Sequence, residues 1–248
     1  MSEKESNGSP KGSSAGIRPG RLRVIILLAI GAGALLIAIA GISTREPGDE
    51  YTRISGVNDG QRIFGGVRQL GDRLGKEDAP VQVQVFTDVQ SVGAAEDFVE
   101  VVAPLANEEA RQGEVKLLLR NRSLTRNPTQ LSFFGIEAAA AQDAGWNYAW
   151  LMTQNLDLAE KDGIDEEFLE LLAEAIERVE LPIWRRDYRA GLEPDSEVTQ
   201  RLEDYDKVAI DLGLRAAPAM VVAGQSGTKV LQDSPDLATV RQAINTVR

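Results

Sequence analysis

The side chains able to do chemistry in this 248-residue chain are mainly carboxylates: it contains neither cysteine nor histidine. Without cysteine there is no disulfide, no CxxC redox motif, no thiolate zinc site and no thiolate nucleophile. Without histidine the commonest general base and metal ligand is missing, and a Ser-His-Asp triad cannot be assembled. The acids that sit close in sequence are Glu96 with Asp97 and the run Asp165, Glu166, Glu167. A pair of carboxylates could serve a cysteine-independent enzyme as acid and base. Adjacent residues on a helix point apart, however, and acids in a first turn ordinarily complement the helix dipole. Glu160, Asp162 and Gly163 have part of a calcium-loop pattern, but Leu158 and Leu169 occupy its first and last ligand positions. Gly224-Gln-Ser-Gly-Thr-Lys229 lacks phosphate-loop spacing, and no GxGxxG is present. The expectation is no metal, no dinucleotide and no other cofactor. Trp146, Tyr148, Trp150 and Trp184 read as core aromatics in preference to a ligand cage.

The elements that would position such groups follow from periodicity. Val81 to Thr87 alternates, with Val81, Val83 and Val85 on one face, and reads as a strand. A helix is expected from Gly93 to Glu109, bent or interrupted near Pro104. Glu114 to Arg120 is a second strand, so strand, helix and strand imply a right-handed parallel βαβ unit. A helical block follows, with Thr129 to Ala144 broken by Gly145 and then Trp146 to Gln154. Next comes a helix capped by Asp165, with Ile164 stapled onto Leu169 and an end near Val179. Ile183 to Arg189 is short. Ser196 to Leu212 carries one apolar stripe at Val198, Leu202, Tyr205, Ala209 and Leu212. Ala219 to Ala223 and Thr228 to Leu231, joined across Gly224 to Gly227, form an antiparallel hairpin. Pro235 opens a last helix with Leu237, Val240, Ile244 and Val247 inward.

The chain divides at an apolar run. Residues 1–23 are rich in Gly, Ser and Pro, carry a net charge of +3 and read as a disordered cytoplasmic tail. Val24 to Ile42 has no charged residue, and at helical rise it reaches ~28 Å, enough to cross a bilayer. Arginines crowd its N-terminal end, which places that end in the cytoplasm and the rest outside. The expectation is a single-pass anchor in the cell membrane. The alternative is a cleaved signal peptide ending near Ala38-Ile39-Ala40, and both readings export the remainder. Residues 43–60 read as a flexible linker. Past residue 23 the net charge is −14, which repels phosphate backbones and disfavours nucleic acid as a partner. Arg120, Arg122 and Arg126 are too few to reverse that.

Five stretches in this order resemble the DsbA-like thiol–disulfide oxidoreductases, a thioredoxin-fold family. They are Leu74 to Val81, Phe86-Thr-Asp-Val-Gln90, Trp146-Asn-Tyr148, Trp184-Arg-Arg-Asp187 and Gly213-Leu-Arg-Ala-Ala-Pro218. The resemblance implies an α/β thioredoxin-like domain over residues 61–248, with a helical insertion, preceded by the transmembrane helix. It also implies a cis-proline at Pro218, with Ala217 presenting its backbone to an extended peptide. The departure is central. Where the family has Cys-Pro-x-Cys, this chain has Ser91, Val92, Gly93 and Ala94. A serine hydroxyl is too weak an acid to replace a thiolate, and a helix dipole contributes only about 1 kcal/mol. Ser91 is expected to be an N-cap. Three roles remain open: a redox-inactive domain binding an extended peptide at Ala217 and Pro218, a structural subunit of a membrane complex, or a cysteine-independent enzyme.

Overall fold

The computed structural model describes residues 54–121 and 131–248, with backbone alone at 160–162. The tail, the apolar run and most of the linker expected at residues 1–53, and Arg122 and Arg126, lie outside the described residues. Among the described residues no helix is long and apolar enough to cross a membrane.

A six-stranded sheet runs β1-β2-β4-β3-β5-β6. Its centre is β3 (Val81–Thr87), whose Val81, Val83 and Val85 are completely buried, as strict alternation requires of a strand with a core-facing side. β3 pairs in parallel with β4 (Val115–Asn121) over seven residues, from Val81 opposite Val115 to Thr87 opposite Asn121. On its other side β3 runs antiparallel to β5 (Ala219–Gly224), which turns back as β6 (Gly227–Leu231). The hairpin turn needs glycine at 224 because a Cβ there would lie 2.3 Å from the carbonyl oxygen of Val247. Outside β4 lies a hairpin of two-residue strands, β1 (Gln69–Leu70) and β2 (Arg73–Leu74), which alternation in so short a segment does not reveal.

Helix α1 (Val57–Phe64) corrects the expected linker at 43–60. Ile54 is buried, and Gly60 packs so closely that a Cβ would meet Trp150 Cδ1 at 2.9 Å. The folded domain therefore includes residues from 54 on. The crossover between β3 and β4 begins as α2 (Val92–Asp97) and continues helically to Ala110 through two π turns, Phe98–Val102 and Ala106–Ala110, flanking Ala103–Leu105. The expected bend or interruption near Pro104 takes the form of these departures from α geometry: a widened turn relieves the clash of the ring with the carbonyl behind it.

The helical insertion comprises α3 (Leu131–Ala140), α4 (Gly145–Gln154), α5 (Leu156–Asp162), α6 (Glu166–Glu174) and α7 (Leu181–Gly191). α3 is buried on nearly every side, since alanines let neighbouring helices approach closely. The four aromatics expected as core are core. Tyr148, Trp184 and Tyr188 form a stack with centroid separations of 6.0 and 4.9 Å. Each polar handle finds a backbone oxygen: Trp146 Nε1 donates to Asp72 O, Trp150 Nε1 to Gly56 O, Tyr148 OH to Leu169 O and Trp184 Nε1 to Gly135 O. This is the condition under which such rings are buried without penalty. Helix α8 (Glu197–Asp211) then crosses the second face of the sheet, where Ala209 packs with Phe86, Leu214, Ala219 and Val221. The last helix, α9 (Leu237–Val247), returns to the first face. It is capped by Asp236, whose Oδ1 accepts from Thr239 N at 2.7 Å, so Pro235 precedes the cap instead of opening the helix.

Replacing Trp184 by alanine removes the middle ring of the stack and leaves Gly135 O unpaired. Urea unfolding is expected to show a loss of about 3–5 kcal/mol, and an unchanged midpoint would contradict this account of the insertion core.

Candidate functional site

At the C-terminal end of β3 the chain turns through Asp88 and Gln90 into α2. An Asx turn shapes it, Gln90 N donating to Asp88 Oδ1 at 3.1 Å. Gln90 Nε2 reaches Ser132 Oγ at 2.5 Å and ties the turn to the start of α3. Ser91 is the N-cap that its position implied. Its Oγ accepts from Ala94 N at 3.1 Å and donates to the Asp88 carbonyl at 2.8 Å. With both functions engaged in its own turn, this hydroxyl is a structural group. Val92 is 70 % exposed, Gly93 is half-buried and Ala94 is fully buried.

The loop from Gly213 to Pro218 meets this turn. Gly213 ends α8 in the left-handed region, φ 68°, with Leu214 N donating to Ala209 O and Gly213 N to Ile210 O, a Schellman ending that favours glycine. Gln232 braces the loop, accepting from Arg215 N and donating to Gly213 O. The Ala217–Pro218 peptide bond is cis. Pro218 is buried, and its carbonyl accepts from Ser234 N at 3.0 Å. A Cβ on Gly93 would stand 3.6 Å from Pro218 Cδ, so the two segments face each other at van der Waals distance. Ala217 is half-buried, and neither its N–H nor its C=O bonds to a described residue. Tertiary structure thus brings all six candidate residues, Ser91 to Ala94 with Ala217 and Pro218, to one end of the sheet.

Beneath them lies a set of groups that the sequence did not flag. Thr87 Oγ1 and Asn121 Nδ2, on register-paired residues of β3 and β4, are buried without a hydrogen bond among the described residues, as is Asp97 Oδ2 on α2. Burial raises the Asp97 carboxyl from 3.8 to about 7. A buried polar residue inside an amphipathic helix is the available signal, but adjacency of Glu96 and Asp97 suggested a paired site. Instead Glu96 is exposed and Asp97 is buried. The other acid run is engaged elsewhere: Asp165 Oδ1 caps α6 by accepting from Phe168 N at 2.8 Å, and Glu166 pairs with Arg189 at 2.7 Å. No group of acids among the described residues is disposed to hold a metal ion. Arg120, from the basic cluster, lies 4.6 Å over the Tyr205 ring and pairs with Asp72.

A parallel β3–β4 unit, an antiparallel β5–β6 hairpin, a helical block between β4 and α8 and a cis-proline facing the start of α2 define the architecture. The domain has the DsbA-like thioredoxin fold. Solved structures agree. BdbD from Bacillus subtilis matches with a TM-score of 0.55 at 17% identity, covering 72% of this chain and 95% of its own. α-DsbA1 of Wolbachia pipientis matches with a TM-score of 0.57 at 13% identity, covering 71% and 89%. A thioredoxin-like oxidoreductase from Silicibacter pomeroyi gives a TM-score of 0.53 at 17% identity, covering 75% and 95%. No protein-family model and no curated protein matches the chain. This DsbA-like domain differs from a thiol oxidoreductase in having no sulfur at 91 or 94, since Ser91 and Ala94 stand there. Thiolate attack and resolution of a mixed disulfide both need that sulfur.

Asp97 sets a pH dependence. The folded domain holds the proton up to about pH 7, whereas the unfolded chain releases it near 3.8. Stability from this group is therefore complete below about pH 4 and is lost as pH rises towards 7, by about 4 kcal/mol in all. Asp97→Asn should flatten that decline, so that urea midpoints at pH 5 and pH 8 differ less than in the parent. A parent and variant with the same pH slope would refute the assignment. Ser91→Ala, which removes only the cap, should lower stability by about 1 kcal/mol.

Proposed function

We propose that this DsbA-like domain is a redox-inactive binding module: it holds an extended segment of a protein partner by strand addition at Ala217, outside the membrane to which Val24 to Ile42 anchors it. The observation that carries this reading is the pair of main-chain groups on Ala217, N–H and C=O, that have no partner among the described residues, at the end of the sheet where Val92 is exposed. An extended peptide can satisfy both groups as a neighbouring strand would, while an apolar side chain rests on Val92. Ala217 leaves room for that approach because its side chain is a single methyl. The absence of cysteine supports binding without exchange, so the complex would be reversible and unaffected by reductant. The apolar run with arginines before it, and the acidic remainder after it, support an anchored, exported domain.

Labelled unfolded peptides titrated against the full-length protein in detergent test the reading. Saturable binding is expected, unchanged by dithiothreitol. Val92→Asp, which alters an exposed residue, should weaken it at least tenfold, and Ala217→Pro, which removes the donor, should do the same. Equal affinity for parent and both variants would end the proposal. The full-length protein should also leave the rate of insulin disulfide reduction by dithiothreitol equal to that of the thiol alone.

A further inference from the structure

A concavity that shares no lining residue with the Ala217 face lies where α3, α7 and α8 meet near the β1–β2 turn. Its volume is about 440 Å³, within the range of small-ligand pockets. Part of its wall is made of small apolar side chains, Ala138, Ala140, Ala141 and Ala190 with Val198, which together offer a smooth aliphatic surface. Gly71, on the turn, adds no obstruction, since a Cβ there would meet nothing within 4 Å.

The charged residues lining the cavity are three carboxylates, Glu137, Asp187 and Glu197, and one guanidinium, Arg201. Glu137 projects from α3 and is 9 % exposed. Among the described residues its carboxylate makes no hydrogen bond, and its one ion pair is with Arg201 Nε, 3.3 Å from Oε2. A nearly buried carboxylate whose one ion pair is imperfect, with Arg120 acting on it only at longer range, is incompletely compensated, because removal from water costs several kcal/mol that such a pair does not fully restore. Burial accordingly pushes its proton affinity up; Arg201 opposes that shift, Asp72 adds to it and Arg120 opposes it, the net direction being upward. Asp187 is half-buried and accepts from Arg186 Nε at 2.7 Å on its own helix. Glu197, at the start of α8, has no partner among the described residues. The cavity therefore combines an excess of negative charge, one under-compensated acid and an apolar wall.

We propose that this cavity binds a cationic alkyl group, an alkylammonium or alkylguanidinium, with its aliphatic stem on the alanine wall and its charge shared by Glu137 and Glu197. An anion is disfavoured by the charge balance, and a wholly apolar ligand would leave the acids unpaired. The same chemistry is offered by a free polyamine and by a lysine or arginine side chain of a partner protein. The site is independent of the Ala217 face and of the reading given to it.

Isothermal titration of the full-length protein in detergent with n-butylguanidinium and n-butylamine tests this, with n-butanol and butyrate as uncharged and anionic controls of similar stem. Saturable binding of the cations is expected, at least tenfold tighter than either control. Ala190→Leu, which fills an exposed part of the wall without changing charge, should reduce cation affinity at least tenfold, as should Glu197→Gln on the rim. Circular dichroism confirms that each variant is folded. Spermidine and N-acetyl-lysine methylamide then separate the sources: tighter binding of the first points to a free polyamine, of the second to a protein side chain, and both outcomes support the site. Binding of butanol or butyrate as tight as that of the cations would overturn the proposal. So would cation affinity unchanged in both folded variants.

Discussion

Everything in this domain is arranged around β3. It is flanked by β4 in parallel and β5 in antiparallel sense, and its inward valines are wholly buried. Parallel pairing obliges the chain to cross over between β3 and β4, so α2 must begin where β3 ends. Antiparallel pairing of β5 brings its start, Ala219, opposite Phe86 near that same end. The meeting of Ser91 with Pro218 is therefore a consequence of strand order. It would hold whatever residues occupied positions 91 to 94, which explains how the frame persists without the sulfur that the fold's oxidoreductases use.

With that chemistry absent, the polar groups at the end of the sheet divide by what satisfies them. The Ser91 hydroxyl is fully used within its own turn, and Gln90 ties the turn to α3. Thr87, Asn121 and Asp97 are buried and keep atoms with no partner among the described residues. An unbonded buried polar atom costs about 1–3 kcal/mol, so three of them at one end of a core are a local weakness in an otherwise well-packed domain. Other groups are paired: every indole has a carbonyl partner, and Arg241 spans from α9 to Glu108 and Glu109 at 2.6 Å each, whereas Arg73 Nε on β2 is buried with no partner among the described residues.

Much of the frame was legible from residue pattern. Alternation in Val81 to Thr87, the period of α8, the caps at Ser91 and Asp165 and the β5–β6 hairpin are local properties, read from a handful of neighbouring residues, and the structure has them where expected. The elements that were missed are short, two to eight residues each. β1 and β2 are two residues each. α1 sits in a Gly- and Asp-containing segment that looks like a tether until Trp150 is seen packed against Gly60. α5 is a seven-residue helix with no expectation attached to it.

By itself the sequence determined what the protein lacks: with no cysteine and no histidine, thiol exchange and histidine-based catalysis are excluded by atomic composition, whatever the fold. It also determined the strong local elements, because propensity, capping and periodicity act over a few residues. Only the tertiary structure decided which residues meet. Pro218 faces Gly93 across 125 positions of sequence, Asp97 is buried while Glu96 is not, and Glu137 shares a cavity with Glu197. Those relations depend on the packing of distant segments, and burial, the quantity that turns a carboxylate from a solvated surface charge into a perturbed one, is set by that packing alone.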